Sequence, residues 1–401
     1  MDKKLKFAVS APGKVILNGE HSVVYGKPAI AGTIGLRNVL TLQTNASSSI
    51  TIKLDILQHT LECDLQDLNS LLALTFPIYK DQNLPSNLNH NDFLDTIKKF
   101  VLNTKFHGDF NVSDHINTLS ALFYILCGIL ISNECSKINE GFEIAMKSGI
   151  TTGAGLGSSA SYGVCLAGCF YFYAKSRNSP DFINQFNCMA EDEHSAIRAI
   201  ISDWAFCSEK IMHGNPSGLD NHICTFGGLV KFYRNQKPSS IKSVRALNIL
   251  IIDSCVSRST AAMVQKVLQQ KTEDPSGVQD IFDKIENVVE AVSKILEDQS
   301  LPSRFLPLSE LFSENNQLLT KLNVTHKELD NIRDICSRYS LSAKLTGAGG
   351  GGYAIAVLPD DYQHGNAEYS KLFEELITAG YKVRDTTVGD EGFKVEVVDD
   401  K

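Results

Sequence analysis

The chain has 401 residues, 43% of them hydrophobic and 21% charged, enough for two folded domains with real cores. Its formal net charge of -8 is spread along the chain, which argues against nucleic acid or an anionic membrane as partner. Ten cysteines without a Cys-x-x-Cys pair read as reduced, mostly buried thiols of a cytoplasmic protein, not as a zinc or disulfide set.

The charged start, Met1 to Lys6, runs straight into apolar residues and shows no signal peptide. Residues 7–9 and 15–17 read as two strands joined by the turn Ser10-Ala11-Pro12-Gly13, with further strands at 39–42 and 50–54. The asparagine-rich stretch 80–91, with Pro85, reads as a polar surface loop, and helices follow near 92–102 and 114–132. The apolar run 122–131 in the second helix is about half what a membrane span requires, so no span is expected. Phe142, Ile144, Met146, Ser148 and Ile150 alternate as a strand, and Val164, Ala167, Phe170, Tyr171 and Ala174 recur at helical spacing.

A single helical pattern runs through 182–213, with Gly214 and Pro216 as stop signals. Gly227-Gly228 leads into a short strand, and 235–240 reads as a linker dividing the chain into 1–237 and 238–401. The second half opens with a strand at 247–253. An amphipathic helix carries Ile281, Ile285, Val288, Val289, Val292 and Leu296 on one stripe. Strands at 353–358 and around Phe393, Val395 and Val397 complete it. This order predicts an α+β fold, an antiparallel sheet covered by helices.

Between the strand at 142–150 and its helix lies Gly153-Ala154-Gly155-Leu156-Gly157-Ser158-Ser159. Glycines let the backbone approach a ligand closely, and the free N–H groups of a first helical turn attract anions, so this is a candidate phosphate cradle. The same residues would also serve as a plain strand-to-helix turn with Ser158 or Ser159 as N-cap. The segment lacks both the Walker A lysine and the dinucleotide glycine spacing.

Four further polar clusters stand at element ends, where functional groups gather. Lys14 follows the Pro-Gly pair, with Asn18-Gly19-Glu20-His21 beyond it; a solvated charge and a plain loop are the alternatives. Glu209 sits near a helix C-terminus, where the dipole disfavours a carboxylate by up to about 1 kcal/mol. Mg²⁺ would offset that, as would simple exposure beside Lys210. His213-Gly214-Asn215-Pro216-Ser217-Gly218-Leu219-Asp220 suits a loop with Asp220 in an Asx turn. The glycine run in Lys344 to Gly352 costs much backbone entropy and implies a close approach to a ligand, or a mobile lid.

Taken together, APGKVILNGEHSVVYGKPAI from Ala11, GAGLGSSAS from Gly153 and KLTGAGGGG from Lys344 resemble, in order, the three motifs of the GHMP kinases. The first segment, and HGNPSGLD from His213, are similar to the mevalonate kinase versions within that family. The resemblance implies a two-domain α+β GHMP kinase fold. Its N-terminal domain would be a mixed sheet plus helices, its C-terminal domain a ferredoxin-like α/β sandwich, with the active site in the cleft between them. It also implies phosphoryl transfer from ATP to a small alcohol, mevalonate, with Mg²⁺, in a homodimer.

By position, Asp220 would be the catalytic carboxylate, with Lys14 near it and the γ-phosphate. Ser148, Lys14 and the run Gly153, Ala154, Gly155, Leu156, Gly157, Ser158 and Ser159 would take the nucleotide. Ser159 and Glu209 would hold Mg²⁺. Glu20, His21, Asp220 and Thr260 would contact the acceptor, with Ser217 lining the site and an N-cap role as the alternative for Thr260.

Thr151 and Thr152 stand where the family often has prolines, and Asn18 where a histidine is common; neither change removes a charge. The stretch around 188–198 has no counterpart in the family pattern, and Glu191-Asp192-Glu193-His194 within it reads as a solvated helix face. A kinase for a phosphorylated alcohol such as phosphomevalonate would want extra basic residues, and none clusters beside these motifs. A silent ligand sensor on this fold would have lost Asp220, Lys14 or Glu209, and all three are present.

Overall fold

The computed structural model describes residues 4–74, 85–104, 106, 111–151, 155–234, 236–242 and 246–398. Its strands are β1 (Lys6–Asn18), β2 (Ala29–Asn45), β3 (Ser49–Leu54), β4 (Thr60–Asp64), β5 (Gly141–Ser148), β6 (Leu229–Phe232), β7 (Ser239–Ile241), β8 (Leu247–Asp253), β9 (Ala343–Leu345), β10 (Tyr353–Val357), β11 (Lys382–Val388) and β12 (Lys394–Val397). Its helices are α1 (Leu65–Leu72), α2 (His90–Asn103), α3 (Ile116–Ser132), α4 (Ser158–Asn178), α5 (Phe182–Asn187), α6 (Glu191–His213), α7 (Leu219–Phe226), α8 (Thr260–Glu273), α9 (Pro275–Glu297), α10 (Phe305–Lys321), α11 (Lys327–Ser337) and α12 (Ala367–Thr378).

The strands join in one sheet with a main path β4-β3-β5-β2-β11-β8-β10-β9, antiparallel except where β3 meets β5. The long strand β2 is its hub, pairing with β1, β5, β6 and β11. Around residues 7–17 the expectation is corrected: Pro12-Gly13 makes no turn, and β1 runs unbroken along β2. The register shifts at Pro12/Gly13, where Pro12 faces Arg37 but Gly13 faces Ile34. A bulge of this kind re-aims the residues that follow, and Lys14 is the first of them.

Among the described residues two large apolar cores lie against the sheet, besides a small cluster of Ala29, Ala31, Ile223, Val230 and Phe232. In the first, α3 and α4 are buried almost all round, Leu119 to Leu130 and Ala160 to Ala174, which explains their weak amphipathic patterning. Small residues allow the close packing: a Cβ on Gly128 would lie 2.4 Å from the Trp204 ring, and one on Gly168 2.1 Å from Phe393. The second core joins β8, β10 and α9 to α12 through residues such as Phe282, Val289, Phe312 and Ile332.

Two other expectations change. The pattern at 182–213 is two helices, α5 ending at Cys188 and α6 starting after an extended Ala190. Glu191, Asp192 and Glu193 crowd the first turn of α6, where the helix dipole favours acids. The supposed linker at 235–240 feeds β7, which pairs with β6. The proposed second unit, 238–401, does not end within its own core: β12 pairs with β1, and Phe393 stacks on Phe172 at 6.0 Å.

All ten cysteines are free thiols, and no helix among the described residues is long and apolar enough to cross a membrane. Part of the expected loop at 80–91, namely 80–84, lies outside the described residues.

Candidate active site

The bulge, the start of α4 and the start of α7 converge. The Lys14 N–H donates to the Leu156 carbonyl at 2.8 Å, and the Ser161 hydroxyl donates to the Ala11 carbonyl at 2.7 Å, pinning β1 to the glycine turn. A Cβ on Gly157, whose φ is +74°, would stand 2.8 Å from Lys14 Cγ, so only glycine lets the lysine lie across the turn. Gly157 also N-caps α4 without a side-chain bond, leaving the first-turn amides to face the cleft. Gly153 and Ala154 lie outside the described residues.

Lys14 Nζ sits 3.2 Å from Asp220 Oδ2, with Lys14 largely buried and Asp220 about one-third exposed (34%). Asp220 is in the first turn of α7 rather than in a loop, its helix capped by Gly218 in a left-handed conformation. This placement makes it a carboxylate favoured by the helix dipole and rigidly aimed. Residues 14 and 220, far apart in the chain, therefore meet.

Glu209 is buried (4% exposed) near the end of α6, and its Oε1 has no hydrogen-bond partner. Burial and then the nearby Asp220 charge push its carboxyl above the ordinary range, opposed by Ser159, His213 and Lys14. Ser159 Oγ is 2.9 Å from His213 Nε2, which itself lies 4.0 Å from Glu209 Oε1. A buried acceptor without a donor, beside a hydroxyl and a second carboxylate, suits a hard cation. Mg²⁺ is held by one or two carboxylates plus phosphate oxygens, so the lack of any larger His/Cys/Asp/Glu cluster among the described residues is no obstacle. Ser159 and Glu209 fit that ion.

Ser159, Glu209, His213 and Asp220 line a cavity of about 770 Å³, a size that suits a bound small molecule. Its lining includes the apolar Leu54, Ile56 and Met146, with Tyr162, and the polar Ser148 and Asn38, Ser148 Oγ lying 2.7 Å from Asn38 Oδ1. Ser217, Asp220, Thr260 and Arg258 line it as well. Thr260 begins α8, while the N-cap itself is Ser259.

Arg258 has no assigned role in the sequence, yet it is the one lysine or arginine among the described residues that line this cavity. Its Nη1 donates to the Thr346 carbonyl at 3.1 Å, and a Cβ on Gly155 or Gly347 would collide with its guanidinium. Arg258 thus lies between the two glycine motifs. Its closeness to Thr260 in sequence was the one available clue.

Glu20 and His21, expected on the acceptor, are turned inward and form no part of this wall. Glu20 is fully buried; Oε1 pairs with Lys344 Nζ, and Oε2 accepts from Asn315 Nδ2 at 3.1 Å. Burial pushes the Glu20 carboxyl up and the Lys344 ammonium down, each opposed by the other's charge. His21 Nε2 meets the Ala348 carbonyl at 2.8 Å. The first and third motifs therefore grip each other here.

Residues 124–228 match the family model for the GHMP kinase N-terminal domain, and 284–377 match that for the GHMP kinase C-terminal region. The mevalonate kinase of Mus musculus is 32% identical over 96% of this chain and 93% of its own length. Among solved structures, the Methanococcus jannaschii mevalonate kinase superposes with a TM-score of 0.66 at 23% identity, covering 96% of this chain and 98% of that one. The L. major mevalonate kinase in complex with R-mevalonate gives 0.61 at 21%, covering 98% and 97%. Likeness of sequence and fold over nearly the whole chain, with the first motif joined to Asp220 through Lys14 and to the third motif through Glu20 and His21, places this chain in the GHMP kinase family, among the relatives of the mevalonate kinases.

Proposed function

We propose that this protein transfers the γ-phosphoryl group of ATP to the primary hydroxyl of (R)-mevalonate, giving 5-phosphomevalonate and ADP. The observation that carries the reading is the Lys14–Asp220 pair, 3.2 Å apart at the junction of the α4 and α7 N-termini. Names of relatives identical at about one-third of positions support the choice of acceptor.

The nucleotide base lies against the apolar Leu54, Ile56 and Met146, and the phosphates take the uncapped α4 N-terminus with Ser158 and Ser159. Ser148 bounds the base region. Mg²⁺, held by Ser159 and Glu209, supplies charge neutralisation for the phosphate oxygens when bound. The acceptor lies by Asp220, Thr260 and Ser217, its carboxylate matched to the Arg258 guanidinium. Glu20 and His21 act on that end from behind the wall.

In the reaction the alcohol oxygen bonds to the γ-phosphorus while the bond to the β-phosphate oxygen breaks. Asp220 orients the hydroxyl and takes its proton as the new bond forms. Lys14 donates to the charge that develops, and the helix amides hold the polyphosphate. Phosphoryl transfer has a loose transition state, so such positioning and charge stabilisation are the main levers.

The test is ADP release by purified protein with ATP and Mg²⁺ in the presence of mevalonate, phosphomevalonate, homoserine or galactose. Mevalonate-dependent release with at most trace activity on the others is expected; release independent of mevalonate would overturn the reading. A cytoplasmic homodimer is part of the same proposal, checked by light scattering and cell fractionation.

A further inference from the structure

We propose that Lys344 is a positioning residue for the acceptor end of the cleft, acting through its buried ion pair with Glu20 to lock the first motif against the third. The inference rests on the acceptor site of the proposed function.

The pair is dry. Both side chains are fully buried; Lys344 Nζ also donates to the Leu345 carbonyl at 2.7 Å and lies 5.6 Å from the centre of the Phe312 ring. Burying two charges in such surroundings costs several kcal/mol, and an apolar pair of the same shape is often as stable or more so. Stability alone is therefore a poor reason for this arrangement. Register is a better one.

Two further bonds join the same segments: Thr346 Oγ1 donates to the Ile16 carbonyl at 2.9 Å, and His21 meets Ala348. His21 holds a φ of +63° to do so, a conformation that costs a non-glycine residue energy and persists only where neighbours impose it. Lys344, Thr346 and Ala348 are alternate residues leaving β9, each tied to the end of β1 or the turn after it. The middle one also carries the carbonyl that receives Arg258.

The consequence is geometric. Lys14 and Glu20 lie at opposite ends of one rigid stretch of β1 and its turn. Arg258 is anchored to the segment that Glu20 holds. The Glu20–Lys344 pair thus sets how far Arg258 stands from Lys14 and Asp220, and so where a carboxylate-bearing alcohol sits relative to the γ-phosphate. The glycine turn touches this chain of contacts through Lys14 and Arg258, but Leu54 at the end of β3, Ile56 after it and Met146 of β5, proposed to hold the nucleotide base, carry none of these bonds.

The test compares wild type with Glu20→Gln, Lys344→Met and the double variant. Lys344→Met alone leaves an unpaired buried carboxylate and is expected to unfold readily. The double variant removes both charges at nearly constant volume and should melt close to the parent. In it, the KM for mevalonate should rise about tenfold or more with the KM for ATP changed by less than about twofold, as expected of a small misplacement confined to one substrate. Amide hydrogen exchange should quicken in 344–352 and 16–24 only, a readout that needs no substrate. A double variant with parental KM values, or with both KM values raised together, overturns the inference, as does unchanged exchange in those segments. If wild type ignores mevalonate, the proposed function fails, while the exchange result still decides the coupling.

Discussion

The 3.2 Å contact between Lys14 and Asp220 makes a quantitative forecast through a double-mutant cycle. Lys14→Met removes a donor aimed at developing charge, which typically costs about 10²–10³ in kcat. Asp220→Asn removes the proton acceptor, at about 10²–10⁴. Independent effects would multiply to about 10⁴–10⁷ in the double variant. The geometry says otherwise.

At 3.2 Å and an effective dielectric constant near 20, the gross attraction is about 5 kcal/mol. Asp220 is one-third exposed, and solvent screening reduces that to a net coupling of roughly 1–3 kcal/mol. Each group also depends on the other for its role, the lysine holding the carboxylate in place for the alcohol. The double variant is therefore expected to lie within about tenfold of the worse single variant. The assay is kcat at saturating ATP, Mg²⁺ and mevalonate, with binding of a fluorescent nucleotide to confirm an intact phosphate site. Losses that multiply fully would refute the idea that the two side chains act as a unit.

Other outcomes follow from the same contacts. Glu209→Gln should raise the half-saturating Mg²⁺ concentration at least about tenfold, yet leave the metal-free protein as thermostable as the parent or more so, since a buried carboxylate beside Asp220 is removed; a lower melting temperature with normal Mg²⁺ dependence would count against the metal role. Burial lowers the pKa of His21, His90 and His222 below the ordinary 6.5, so below that pH the unfolded chain takes up protons first. Their stabilisation is present above 6.5 and lost as pH falls through the lowered folded values, by up to about 1.4 kcal/mol per histidine per pH unit; thermal melts between pH 7.5 and 5 should show the loss, and His21→Gln should flatten it. Gly157→Ala should cut kcat through the clash with Lys14, whereas Gly365→Ala, at a similar positive φ with nothing within 4 Å, should cost only about 1 kcal/mol of stability and no activity.

What could be read from the sequence was local. The strand-glycine-helix pattern at 142–174 and the stripe of α9 are set by neighbours a few residues apart, and both hold. What could not be read depends on partners far away in the chain. Pro12-Gly13 looks like a turn because proline and glycine usually make one. Here the two extra residues Gly35 and Leu36 of β2 absorb the irregularity as a bulge, and nothing near residue 12 announces them. The break at 188–190 was legible in hindsight, from three acids opening α6. Arg258 gave no signal beyond its closeness to Thr260, because its task comes from lying between glycines at 155 and 347. Glu20 and His21 read as a plain loop or, through the resemblance, as acceptor contacts, and the partners that explain their burial, Lys344, Asn315 and Ala348, are about 300 residues on.

The unbroken β1 matters for the chemistry more than for the topology. Were residues 10–13 a hairpin turn, Lys14 would begin a separate strand, free to shift relative to the elements before it. As a single strand with register shifts at Pro12/Gly13 and Ile16/Asn18, β1 is fixed at one end by β12, along its length by β2, and at the other by the Glu20 and His21 contacts. A strand rises about 3.3 Å per residue, so the four steps from Lys14 to Asn18, with a register shift among them, place the lysine at most about 13 Å from the start of the latching turn. The Glu20 charge is matched by Lys344 at its own end, which leaves little net charge there to tune Lys14. The coupling between them is mechanical: the same rod that presents an ammonium group to the phosphate also seats the third glycine motif, and Arg258 with it, at a set distance across the cleft.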